Sequence, residues 1–224
     1  MYPGIWIGKN VESAKQKVLI LGESHYVSDY HNNQDAIGKV PFTTRSIVES
    51  YLNDNISNGR WDFFTKIAKT FGYNTEEEIC KFYDLVYFGN YVNVLVDKKH
   101  RPNGKDFIAK NNSTYNKELF DFCVNFSIDI VACFSKEAYD SLPMEGNKQT
   151  DGIYSIQREN NYPIKQQKWL YEKGTLENMS LILDNNLLVY GFYHPSWPRY
   201  YDANLVFNEY TKKQQELKWL CNES

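Results

Sequence analysis

Apolar residues fall along this chain in short unbroken runs separated by longer stretches of helical spacing, the pattern of strands buried on both faces alternating with amphipathic helices. The first run, Lys17 to Leu21 (KVLIL), ends at Gly22 and predicts a buried parallel strand followed by a turn. The polar stretch Asp29 to Lys39 predicts a loop. Pro41-Phe42-Thr43-Thr44 then leads into a helix capped by Thr44, with Ile47, Val48, Tyr51 and Leu52 at helical spacing. A second helix is expected around Trp61 to Phe71, placing Trp61, Phe64, Ile67, Ala68 and Phe71 on one face and ending before Gly72. Thr75-Glu76-Glu77-Glu78 reads as a capping box opening a third helix to about Tyr83, with a strand near Leu85 to Tyr91 after it. Asn116 to Phe126 is helical in pattern, Ile128 to Phe134 a strand, and Ser135 to Leu142 a short helix capped by Ser135. Pro143 to Gln167 is polar and predicts an irregular surface insertion. Leu187 to Tyr193 (LLVYGFY) is the last strand, and a long closing helix is expected over about Ala203 to Cys221.

This alternation predicts an α/β fold: a three-layer sandwich with a central, mostly parallel four-stranded sheet flanked by helices. The 224 residues are read as one domain, 1–224. Ligands of such sheets sit at the carboxyl ends of the strands. There the first strand delivers the Gly22 turn and the last strand delivers His194.

Composition narrows the classes. Apolar residues at 42% and charged residues at 24% suit a soluble globular protein, and no apolar run reaches the roughly 18 residues of a membrane helix. No membrane association is expected. Met1 to Asn10 lacks the basic stretch, apolar run and cleavage site of a secretory signal, so a cytoplasmic location is expected. The four cysteines, Cys80, Cys123, Cys133 and Cys221, form no CxxC pair, which argues for reduced thiols over a zinc, redox or iron–sulfur site. No metal and no cofactor are expected. A formal net charge of −3 provides no whole-molecule attraction to nucleic acid, so DNA binding would rest on local patches. Lys98-Lys99-His100-Arg101 and Lys165 to Lys168 are the candidates. Aromatic residues are 16% of the chain, enough for some to hold a flat ligand such as a base.

Two segments carry the chemistry. In Leu21-Gly22-Glu23-Ser24-His25-Tyr26, a glycine at a strand end lets the chain turn so that Glu23, Ser24 and His25 surround a small concavity. In His194-Pro195-Ser196-Trp197-Pro198-Arg199, two prolines stiffen a loop with a histidine at its base and an arginine at its tip.

With these motifs at the first and last strands, the chain resembles the uracil-DNA glycosylase superfamily, whose best-known branch reads GQDPYH in the first motif and begins the second with HPS. The resemblance implies that a base is flipped from DNA and its N-glycosidic bond hydrolysed. On that likeness His194 hydrogen-bonds the base as charge develops on it, Tyr26 screens out a 5-methyl group, and Phe42 stacks on the base. Asn93, or alternatively Asn90, reads the base edge, an amide side chain offering one acceptor and two donors. Ser196, Trp197 and Arg199 resemble the DNA-contacting wedge loop, and Lys98 and Arg101 would add phosphate contacts. Gly22, Ser24 and His25 would line the base pocket. The chain departs from that branch where Ser24 replaces the water-positioning aspartate; Glu23, similar to the GE opening the motif in other branches, would supply the negative charge. Two other readings stand beside this one. A catalytically silent module of the same fold could hold nucleic acid or a nucleotide. Alternatively, LILGESHY resembles the first motif of erythromycin esterase-like hydrolases, in which Glu23 and His25 would assist catalysis.

Overall fold

A computed structural model of the protein describes residues 4–26, 43–56, 62–96, 104–144, 147–156, 164–196 and 201–222. The strands are β1 (Trp6–Ile7), β2 (Val18–Gly22), β3 (His25–Tyr26), β4 (Tyr87–Asn90), β5 (Leu95–Val96), β6 (Ile130–Cys133), β7 (Asn147–Ile156), β8 (Ile164–Tyr171), β9 (Gly174–Leu176), β10 (Leu181–Leu183) and β11 (Leu187–Gly191). The helices are α1 (Thr43–Ser50), α2 (Asp62–Lys69), α3 (Glu76–Asp84), α4 (Gly104–Asn125), α5 (Lys136–Asp140) and α6 (Ala203–Glu209).

Seven strands form the main sheet in the order β1-β4-β2-β6-β11-β8-β7, in place of the four expected. The apolar runs form its centre: β4, β2, β6 and β11 run parallel to one another. Two antiparallel additions account for the difference. On one side β1 pairs with β4, and on the other the β7–β8 hairpin joins β11. That hairpin occupies the stretch read as an irregular insertion. Asn147 to Ile156 (NKQTDGIYSI) is too polar to show an apolar strand pattern, because an outermost strand need not bury both faces.

Alternate residues of the central strands enter two separate cores. Val18, Ile20, Phe88, Ile130, Ala132 and Tyr190 pack with buried residues of α1, α2, α3 and α6. Leu19, Leu21, Tyr87, Val131, Cys133 and Val189 face the other way, toward α4 and α5. The period-two alternation of a strand thus covers both faces of the sheet with helices.

Local signals explain some helix boundaries. Thr75 accepts the Glu78 N–H while the Glu78 carboxylate accepts the Thr75 N–H, closing the expected capping box on α3. After α2 the chain turns at Gly72, whose φ of 88° belongs to the left-handed region that favours glycine. Thr44 lies buried inside α1 and is not its cap, since the helix already includes Thr43. Helix α4 begins at Gly104, well before Asn116; its Asn111-Asn112-Ser113-Thr114 stretch consists of weak helix formers that mask the pattern. The expected closing helix stops at Glu209, because Tyr210 leaves helical geometry (φ −131°, ψ −64°). A short 3-10 turn, Thr211–Lys213, and further turns then bury Leu217 and Leu220 against the sheet. Glu216 accepts hydrogen bonds from Lys168 of β8 at 2.9 Å and from the Tyr190 hydroxyl of β11 at 3.0 Å. One straight helix from Ala203 could not follow this path back across the strands. Among the described residues no helix is long and apolar enough to cross a membrane.

Glu78 provides a test of local stability. Backbone N–H groups of Thr75 and Asn74, with help from the Asn222 amide, hold its carboxyl down to about 2, against an ordinary 4.5. Its charge therefore contributes stability in full above about pH 4.5, and this contribution fades as pH falls toward 2. Denaturation of wild type and Glu78→Gln should show a stability gap at pH 7 that narrows by pH 3. A gap unchanged over that interval would show that the charge does not stabilise the box.

Candidate functional site

The site forms where four parallel strands end side by side. Strand register pairs Gly22 with Asn90, and the Phe134 N–H donates to the Leu21 carbonyl at 2.7 Å as the Phe192 N–H donates to that of Cys133 at 2.7 Å. In spatial order the exits therefore deliver Asn90 from β4, Glu23 from β2, Ser135 beyond β6 and His194 beyond β11. With neighbouring strands about 4.8 Å apart, the row spans roughly 14 Å.

The helices that follow β2 and β6 lie on opposite faces of the sheet. From β2 the chain passes to α1, α2 and α3 on one side; from β6 it enters α5 on the other. In open parallel sheets such a divergence at the carboxyl strand ends marks the usual ligand position. Between the two strand ends the Ser135 hydroxyl donates to Glu23 Oε2 at 3.1 Å. Glu23 and Ser24 are both half-buried, and the Glu23 carbonyl accepts the Val92 N–H at 2.9 Å.

Gly22 is required by what stands beside it. A Cβ there would collide with the Asn90 side-chain oxygen and stand 3.6 Å from the Phe63 ring. Phe63 also reaches the second motif, its ring centroid 4.9 Å from that of His194 with the planes 31° apart. This half-buried aromatic of α2 thus links the Gly22 and His194 ends. Within the second motif the Ser196 N–H donates to His194 Nδ1 at 3.2 Å. With Nδ1 accepting, the neutral ring carries its hydrogen on Nε2, leaving that nitrogen as the donor.

The structure places the two candidate asparagines differently. Asn90 is buried, 6% exposed, at the strand end beside Gly22. Asn93, the preferred residue from sequence, instead donates to Glu118 of α4 at 2.6 Å, where burial raises the Glu118 carboxyl above its ordinary value. The register explains the difference: the strand stops at Asn90, and three more residues carry the chain onto α4. His25 and Tyr26 form β3, whose backbone runs parallel to β5. Ser196 is exposed. Phe42, Lys98, Arg101, Trp197 and Arg199 lie outside the described residues.

Two members of the site escaped sequence reading. Phe63 is adjacent to the Phe64, Ile67 and Ala68 stripe but not part of it; a large aromatic off the core face was the available signal. Ser135 was read only as a helix cap, and its bond to Glu23 joins residues 112 positions apart. Beside them, burial pushes the Cys133 thiol up to about 12, so it stays protonated at neutral pH and offers no thiolate nucleophile. None of the four cysteines is in a disulfide; Cys123 and Cys133 are buried and Cys80 and Cys221 half-buried. Among the described residues no three histidine, cysteine or carboxylate side chains cluster as metal ligands.

A separate cavity of about 240 Å³ opens on the α5 side of β11, lined by Lys136, Tyr139, Gln167, Gly191 and Tyr193 among others. It touches the residue before His194 but not Glu23, Asn90 or His194 themselves. Compared with protein-family models and with curated proteins, the chain matches none.

Proposed function

We propose that this chain is a DNA glycosylase-like hydrolase that binds an everted uracil or modified base at these strand ends and cleaves its N-glycosidic bond. The observation that carries this reading is the row of Asn90, Glu23 and His194 along adjoining carboxyl strand ends: an amide to read a base edge, a carboxylate and an imidazole donor. The four parallel strands with helices on both faces support it, being the three-layer α/β arrangement that the resemblance to the uracil-DNA glycosylase superfamily implies. Phe63 packs against the His194 ring and so supports the imidazole at this position.

In the reaction the bond between C1′ of the sugar and the base nitrogen breaks, and its electron pair leaves on the base. His194 Nε2–H donates to a base carbonyl as charge gathers there. Water adds to C1′, its proton passing to Glu23 and from there to the departing base. Glu23 thereby takes the part that Ser24 cannot. DNA would be held by local contacts from Ser196, Trp197, Arg199, Lys98 and Arg101, given the net charge of −3.

The test is incubation with single- and double-stranded oligonucleotides carrying uracil, hypoxanthine, xanthine or hydroxymethyluracil, followed by alkali. Strand scission at the substituted position is expected for at least one base. No scission with any of them overturns the hydrolase reading, and retained binding would then favour a silent base-holding module.

A further inference from the structure

We propose that Ser135 is a positioning residue for Glu23, an inference that rests on the hydrolase reading above. Ser135 is fully buried, and its hydroxyl makes two bonds of opposite sense. The oxygen accepts the Ala138 N–H at 3.2 Å, capping α5, while its hydrogen goes to Glu23 Oε2 at 3.1 Å. A hydroxyl has one proton and two lone pairs, so with the cap in place the proton is committed to the carboxylate.

One consequence follows for Glu23. The carboxylate is tied between the ends of β2 and β6, because α5 fixes the serine and the serine fixes the carboxylate. Ser135 thus sets the direction in which Glu23 meets the attacking water, without touching substrate. Sequence alone showed only the cap.

The experiment is base release by the full-length protein from whichever oligonucleotide the wild type cleaves, comparing Ser135→Ala, Ser135→Gly, Ser135→Thr, Glu23→Gln and the Ser135→Ala/Glu23→Gln double variant. Thermal melting is followed in parallel. Ser135→Ala should lower kcat about tenfold with KM unchanged. Ser135→Gly, in which glycine is tolerated at the cap, should be slowed equally while melting close to wild type. Ser135→Thr keeps the hydroxyl, and the extended backbone there (φ −151°, ψ 123°) suits a β-branched residue, so most activity should return. In the Glu23→Gln background Ser135→Ala should cost nothing further. An active wild type whose Ser135→Gly variant keeps full rate, or a double variant slowed by the product of the two single effects, overturns this inference alone. An inactive wild type removes the hydrolase reading and this inference with it.

Discussion

Replacing His194 with alanine should lower the rate of base release by about a hundredfold to a thousandfold, the scale of losing one donor aimed at developing negative charge. The ring is held from two sides: the Ser196 N–H occupies Nδ1 and Phe63 packs against its face. Both contacts fix the direction of Nε2 before any substrate arrives, so little reorganisation remains for the reaction to require. Glu23→Gln should fall by a comparable factor, since an amide accepts no proton from water. Asn93→Ala should stay near wild type, because Asn93 is engaged with Glu118 away from the row of strand ends. Single-turnover rates measured on one oligonucleotide substrate separate these outcomes. If Glu23→Gln keeps the wild-type rate, Glu23 is not the base.

Phe134→Ala should be the most damaging substitution for stability, costing about 3 to 5 kcal/mol. Phe134 is fully buried and stacks on Phe192 with centroids 4.7 Å apart and planes 11° apart. Phe71 and Tyr201 meet it at steeper angles, with centroids 6.4 and 6.3 Å away. Four aromatic rings, from just beyond β6, just beyond β11, just after α2 and just before α6, thus meet at Phe134, which truncation would leave as a cavity. The cost is a large share of the roughly 5 to 15 kcal/mol that stabilises a typical domain. Urea denaturation reads it directly, and Phe134→Leu should recover most of the loss. A Phe134→Ala midpoint close to wild type would show that the neighbouring rings collapse into the space.

The central strands were legible because they are buried on both faces, and no residue in them competes with an apolar run. Capping was legible for a similar reason: Thr75 and Ser135 satisfy backbone N–H groups three residues away, so the cause lies within the segment itself. The β7–β8 hairpin was not legible, since its outer strand carries no apolar signal. Nor was the turn at Tyr210, whose cause is distant: Glu216 reaches back to Lys168 and Tyr190. The site divides in the same way. Gly22 and His194 are legible at strand ends, but the different placement of Asn90 and Asn93 depends on where pairing with β2 stops. Phe63 and the second bond of Ser135 depend on contacts between segments far apart in the chain.

The strand hardest to read also bears on edge-to-edge pairing between copies of the protein. An open sheet invites growth wherever an outer strand leaves its backbone groups unpaired over a long flat stretch. Here β1 ends one side after only two residues, and the pairing of β7 shifts register between Gln149 and Ile153, around Asp151 and Gly152. Neither border supplies a continuous template for a neighbour's strand. A short border strand and a register shift are both features that discourage edge-to-edge pairing of sheets.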